Sequence, residues 1–415
     1  MNVDVVVVGG GPAGLSAATE LRRLSAGSVL VADREEAAGG VPRHSFHTGY
    51  GLRDRHRVMT GPSYARALAE AAAEAGAQVR TGTTVTGLTP SPGGPQQVTL
   101  TSAGGIETVV AAAVLLATGC RERPRAARLV PGDRPAGVMT TGELQQRVYL
   151  GGERLAGRAL VVGAEHVSFS AAVTLAHAGA EVVALVTGHE RQQSYAAFRL
   201  GAAVRWRIPV WTRCTVSRIA GGKGAERGRL AGVEVTRDGT DRFVPCEVVV
   251  FTGDWIPDHE LARRAGLGLD PGTRGPAVDT ALATSVPGVF AAGNLVHAAE
   301  TADIAALSGR HAARQVAAFL RGKLDGGFAV PVLVEPPLRW ISPNVIGAAA
   351  PPLSRFVLRS LEFRPAARLE TWQGGRLLTR TRLVRFIPER PVHLGAGWLD
   401  RVDPAGGPVR VTTGG

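Results

Sequence analysis

Apolar residues fill Val5 to Val8 without a break, and the chain then opens into Gly9-x-Gly11-x-x-Gly14 and the alanine-rich stretch Ala17 to Leu24. A short β-branched run predicts a strand buried on both faces; the segment after it predicts a helix, with a tight glycine turn between them. A second such run, Ser28 to Ala32, ends at Asp33, nineteen residues past Gly14. Further on, the pattern predicts a helix from Pro62 to Ala75 stopped by Gly76, and short strands around Gln78 to Thr84 and Gln97 to Thr101 flanking a turn from Pro90 to Pro95. The run Ile106 to Leu116 then leads into Ala117-Thr118-Gly119.

Near Arg158 the opening design recurs. Ala159 to Val162 runs into Gly163-Ala164-Glu165-His166-Val167-Ser168, a helix to about Ala178 and a strand from Glu181 to Val186. Glu247 to Phe251 ends in Thr252-Gly253, echoing Thr118-Gly119. Pro287 to Asn294 predicts a strand and turn before a final helix from about Thr301 to Leu320. Around Gly326 the character changes: prolines multiply, runs such as Arg355 to Arg359 and Arg376 to Val384 favour strands, and Gln373-Gly374-Gly375 marks a hairpin. The expected fold is α/β, with two Rossmann-like dinucleotide-binding domains, the second inserted in the first, and a C-terminal all-β sandwich-like domain. The expected bounds are 1–155 with 256–325, 156–255, and 330–415.

Composition narrows the classes. A chain of 415 residues buries ample core for two or three domains. The net charge of +12 comes from scattered arginines, all but two of the 47 basic residues, with no long basic run. That distribution disfavours a nucleic-acid partner and suits small anions or an acidic protein surface. Cys120, Cys214 and Cys246 form no CxxC, disulfide framework or metal-ligand spacing, so no metal is expected. The first strand begins beside Met1, leaving no room for a signal peptide, and no apolar run reaches spanning length. A cytoplasmic protein with no membrane span is the expectation.

The opening motif carries the chemistry. Gly9 permits the turn, Gly11 lets backbone approach a pyrophosphate, and Gly14 brings helix and strand together. The first-turn amides then face the phosphates, with Pro12 and Ala13 at the helix start. An acid at the end of the second strand, here Asp33 with Arg34 beside it, holds ribose hydroxyls.

These motifs, with Gly39-Gly40, Ala117-Thr118-Gly119, Thr252-Gly253 and Ala291-Ala292-Gly293-Asn294 in order over residues 1 to 325, resemble the pyridine nucleotide–disulfide oxidoreductase family. Ala117 to Pro124 and Pro131 to Thr140 are similar to one subgroup, the FAD subunits of opine oxidase, cyanide synthase and heteromeric sarcosine oxidase. The resemblance implies FAD, with its pyrophosphate on Gly9 to Gly14 and its ribose on Asp33. Gly40 and Val41 would run along it, Val85 would lie beside the adenine, and Ala117, Thr118 and Gly119 would form the crossing to the second domain. Gly293 and Asn294 would meet the ribityl chain, and the helix start at Thr301, Ala302 and Asp303 would aim its amides at the flavin pyrimidine. Local turn and capping chemistry accounts for Asn294, Thr301 and Asp303 as well. In the loop Gly40 to Gly51, Arg43, His44 and His47 are the candidates to bind a substrate carboxylate, stabilise reduced flavin or shuttle a proton, against the plainer reading of a solvated basic loop.

The second motif departs from the pattern. Glu165 stands at the second glycine position, Ser168 at the third, and Thr187 where an acid would hold ribose. A carboxylate at a helix start occupies an anion site in advance, so NAD(P)H is doubtful there, unless Glu165 merely caps the helix clear of any ligand. Lacking a CxxC, the chain cannot run disulfide-reductase chemistry, and a lone Cys120 reads as an inert thiol. The cluster Gln192 to Arg199 reads as a surface helix.

Three functions follow. The first is an FAD-dependent oxidoreductase oxidising a small amine, amino-acid, opine-like or hydroxy-acid substrate, or relaying electrons from a partner redox subunit. The second is an NAD(P)H-dependent flavin reductase, in which Arg191 could meet a 2′-phosphate. The third is a non-catalytic flavin-binding interaction protein. A homo-oligomer is compatible with each, and the β-domain serves either as docking surface or as a stabilising appendage.

Overall fold

A computed structural model describes residues 1–91, 93–195, 207–324 and 329–414. Arg199 of the polar cluster and the Gly326 boundary lie outside the described residues. Contacts divide the chain into two compact units: Met1–Arg43, Thr48–Cys120 and Pro257–Gly415 form one, and His44–His47 with Arg121–Ile256 form the other.

In the first unit the strand Asn2–Val8 is central, running parallel to Val29–Ala32 on one side and to Gly105–Leu116 on the other. Its valines 5 to 8 are buried between flanking strands and against the core on both faces of the sheet, which is why the run does not alternate. Gln78–Arg80 extends the sheet beyond Val29–Ala32, and Val289–Ala291 adds to the far side of Gly105–Leu116. That twelve-residue strand does two jobs. Its C-terminal half completes the parallel sheet, while its N-terminal half begins an antiparallel meander with Gln96–Ser102 and Thr84–Thr89. The expected strand Gln78 to Thr84 is therefore broken at Thr81-Gly82-Thr83. Helices Pro12–Arg23 and Ala302–Leu320 pack on each other, and Gly61–Glu74, begun by Thr60 accepting from the Ser63 amide, packs against the first.

The C-terminal strands belong to this same unit but close a core of their own. One sheet takes Val330–Val334, Val345–Ile346, Arg364–Gln373, Arg376–Arg380, Val384–Phe386 and Val409–Gly414; the other takes Leu338–Ser342, Arg355–Ser360 and Val392–Gly395. Phe356, Phe386 and Trp398 fill the space enclosed by the strands. Gln373 pairs with Arg376, so Gly374-Gly375 is the two-residue hairpin loop expected from sequence.

The second unit holds a five-stranded parallel sheet in the order Val138–Thr140, Val248–Phe251, Arg158–Val162, Glu181–Val186 and Val210–Trp211. Helix His166–Ala178 packs on it. An antiparallel meander follows, built from Cys214–Gly221, Leu230–Arg237 and Thr240–Pro245. Residues 121–155, assigned by sequence to the first domain, cluster here instead. The reason is that Val138–Thr140 pairs with Val248–Phe251 and that Met139, Leu144 and Leu155 join this unit's core. Residues 44–47 cluster with it too, Phe46 stacking on Tyr149 at 4.3 Å.

Candidate functional site

The glycine turn of the first unit is built by close approach. Gly9 has φ +105°, and a Cβ there would stand 2.5 Å from the Ala117 carbonyl oxygen; a Cβ on Gly14 would collide with the Gly9 carbonyl. Gly11 is the helix N-cap and offers no side chain to the orphan amides. The first helical bond runs from Leu15 N to Gly11 O at 2.9 Å, so the amides of Ala13 and Gly14 precede the ladder and are open to an anion. A Cβ on Gly11 would meet nothing nearer than the Gly40 Cα at 3.9 Å, which is the open cradle a pyrophosphate needs.

Asp33 is 7% exposed and organises the edge of this cradle. Its Oδ2 accepts from Gly10 N at 2.6 Å, its Oδ1 from Glu35 N at 2.8 Å, and its carbonyl from Thr83 N at 2.8 Å. Val85 stands in the strand Thr84–Thr89, paired with Leu100 and packed against the unit's core. Arg34 is exposed, 3.5 Å from Asp258, and Arg43 lies 3.8 Å from Glu35. The Thr118-Gly119 turn is fixed to Asp258: Thr118 Oγ1 donates to its carbonyl at 2.8 Å, and Asp258 N donates to Gly119 O at 2.9 Å. Gly293 abuts Ala13, where a Cβ would approach within 2.7 Å, so the last βα turn meets the first helix. Gly9 to Gly14, Asp33, Gly40, Ala117 to Gly119 and Gly293 are thus brought together.

Other candidates are committed locally. Asn294 receives Glu300 N on Oδ1 at 2.8 Å and donates Nδ2 to Glu300 O at 3.1 Å, closing the loop 294–300. Thr301 is the N-cap of the last helix but donates its hydroxyl to the Asp303 carboxylate. Asp303, 2% exposed, also carries Arg53, from whose backbone amide it accepts at 3.1 Å and whose guanidinium lies 3.2 Å away. Sequence reasoning missed Arg53, because nothing local links it to a helix 250 residues on. It likewise missed the pair Arg359–Glu300, 2.9 Å apart and almost fully buried, which ties the C-terminal strands to the segment before that helix. Arg359 also lies over Trp340, and burial beside Arg359 pushes His297 down to about 3, so its imidazole is neutral.

Arg43 clusters with the first unit, while the buried His44 and partly exposed His47 cluster with the second.

In the second unit the carboxylate at the glycine turn is built in. Glu165, 7% exposed, is the helix N-cap by position but makes no side-chain capping bond; its Oε2 accepts from Ser168 Oγ. Ser168 Oγ in turn lies 2.6 Å from Thr252 Oγ1. Hypothetical Cβ atoms on Gly163 and Gly253 would stand 2.8 and 3.2 Å from the same carboxylate. Arg128 donates to the carbonyls of Thr252 and Gly253 at 2.9 and 2.8 Å. Thr187 is buried and engaged with His189 N, and Arg191 pairs with its neighbour Glu190. Glu122, buried nearby and accepting from Gly142 N at 2.8 Å, is pushed up to about 7 by desolvation, with the Glu165 charge adding to the rise.

The fold and both glycine turns define a two-dinucleotide-domain oxidoreductase. Residues 3–309 match the pyridine nucleotide-disulphide oxidoreductase family, and the chain belongs to it. It is an FAD-dependent oxidoreductase. The chain is 29% identical over 344 residues to an opine oxidase subunit from Agrobacterium tumefaciens (strain Ach5), covering 77% of this chain and 66% of that protein. It is 29% identical over 290 residues to the alpha subunit of sarcosine oxidase from Corynebacterium sp. (strain P-1), covering 64% of this chain and 28% of that protein. To ferredoxin–NADP reductase of Salinispora tropica it is 31% identical over 306 residues, 71% of this chain and 86% of that one. The chain thus spans less than two thirds of the two oxidase proteins. Among solved structures, thioredoxin reductase from T. acidophilum superposes with a TM-score of 0.64 at 22% identity, covering 76% of this chain and 98% of that one. Among the described residues, no helix is long and apolar enough to cross a membrane.

Proposed function

We propose that this chain oxidises a small amine, amino-acid, opine-like or hydroxy-acid substrate, or relays electrons from a partner redox subunit, through FAD alone. The observation that carries the reading is Glu165, seated in the second glycine turn against Ser168 where a pyrophosphate would lie. When bound, FAD supplies the two-electron acceptor. The chain's own residues hold it: the Gly9 to Gly14 turn takes the pyrophosphate, Asp33 the ribose, and the start of the last helix the flavin end. Arg53, fixed on Asp303 and half exposed, offers a cation there for a substrate carboxylate or a reduced flavin anion. Arg43, His44 and His47 are the further candidates for substrate contact. The likeness to opine and sarcosine oxidase subunits supports this substrate class and a partner subunit.

The test is an anaerobic visible spectrum of the FAD-loaded protein, titrated with NADH and NADPH and then with sarcosine and an opine. The flavin should stay oxidised with micromolar nicotinamide and bleach with one of the amines, alone or with its partner subunit. Prompt bleaching by NADPH would instead make the protein a nicotinamide-driven reductase, as its likeness to ferredoxin–NADP reductase allows.

A further inference from the structure

Away from the cofactor cradle, the helices Pro12–Arg23, Gly61–Glu74 and Ala302–Leu320 and the segment 54–59 line a cavity of about 430 Å³. None of its lining residues is among the cofactor candidates. Five arginines, at 23, 55, 57, 310 and 314, face only two carboxylates, Glu20 and Asp54. Glu20 is taken by Arg314 at 2.8 Å. Asp54 receives the Tyr64 hydroxyl on Oδ2 at 2.8 Å, with Arg310 3.7 Å away. Arg55 spends Nη2 on the Ala67 carbonyl at 2.9 Å. Arg23 and Arg57 are exposed and form no ion pair among the described residues. The wall therefore carries an excess of guanidinium with no internal counter-charge.

A second, independent observation concerns neutral and acidic atoms. Among the described residues, Ser16 Oγ, Asp54 Oδ1 and Arg55 Nε are buried without a hydrogen-bond partner, and all three residues line this cavity. Ser16 is 2% exposed and the Asp54 side chain 0%. Buried polar atoms are rarely left unsatisfied, and their convergence on one cavity points to an occupant that supplies the missing bonds.

We propose that this cavity binds a small hydroxylated phosphate monoester. Its phosphate would sit on Arg23, Arg55 and Arg57, and its hydroxyl groups would engage Ser16 Oγ and Asp54 Oδ1. Phosphate rather than carboxylate is favoured because several separately placed guanidiniums can each donate to a different oxygen of a tetrahedral dianion. A planar carboxylate is satisfied by one fork. The volume lies in the range of small-molecule sites.

The test uses the FAD-loaded chain, so that the cradle is filled. Glycerol 3-phosphate and inorganic phosphate are titrated calorimetrically at constant ionic strength. Saturable one-to-one binding is expected, tighter for glycerol 3-phosphate. The exposed pair Arg23→Gln/Arg57→Gln should weaken both ligands at least tenfold with FAD content unchanged. Ser16→Ala should weaken glycerol 3-phosphate several-fold and leave inorganic phosphate alone. No saturable binding, equal affinity in the arginine double variant, or tighter binding of citrate than of either phosphate would overturn the proposal.

Discussion

Asp33 shows how much one side chain can organise. Its two carboxylate oxygens tie the glycine turn, through Gly10 N, to the start of the next loop, through Glu35 N. Hydrogen bonds to a charged acceptor contribute about 1.5–3 kcal/mol each, so losing the pair, and with it the ribose contacts proposed for Asp33, should be felt in cofactor retention. Asp33→Ala is expected to copurify with little FAD and to rebind it at least tenfold more weakly, as measured by flavin fluorescence quenching. Retention equal to wild type would remove Asp33 from the site. Both Asp33 and the glycines it braces were legible in sequence, because a strand, a tight turn and a helix start are local. Arg53 on Asp303 was not, since their pairing depends on how a loop and a distant helix fold together.

At the scale of elements, the segment from Gly293 to the last helix is held from two sides. Inside, Asn294 closes its own loop on Glu300; outside, Glu300 receives Arg359 from a strand of the C-terminal sheets. Both side chains of this pair are at most 8% exposed. Removing one partner of a buried pair strands the other charge and costs about 3–5 kcal/mol, whereas removing both costs much less. Arg359→Met should therefore lower stability by that amount in urea unfolding, and Arg359→Met/Glu300→Gln should recover most of the loss. Additive losses would mean that the two side chains do not act as a pair. The C-terminal strands thus supply the counter-charge to the segment that leads into the last helix.

For the molecule as a whole, two buried groups set opposing pH limbs. Glu122 titrates near 7 in the fold, above its ordinary 4.5, chiefly through desolvation. Its contribution is fully favourable below about 4.5 and is lost as pH rises through 7. His297, held down to about 3 against an ordinary 6.5, favours the fold above 6.5 and costs stability as pH falls below that. Glu122→Gln should therefore match wild type near pH 4.5 and exceed it at pH 8 by up to about 3 kcal/mol, the free-energy equivalent of its shift. Thermal melts across that range check this; a constant difference between the two proteins would contradict it.

Local periodicity along the chain carried the strand–turn–helix units, the final helix, the Gly374-Gly375 hairpin, the degenerate second motif and the family these define. Packing between distant elements set the rest. It moved residues 121–155 into the second unit, because a three-residue strand declares itself only when it finds Val248–Phe251 to pair with. It turned Glu165 from a nominal cap into a carboxylate bonded to Ser168, and it gathered arginines scattered from 23 to 314 around one cavity. Charge pairing and burial depend on distances between elements far apart in the chain, and no pattern read along one stretch contains those distances.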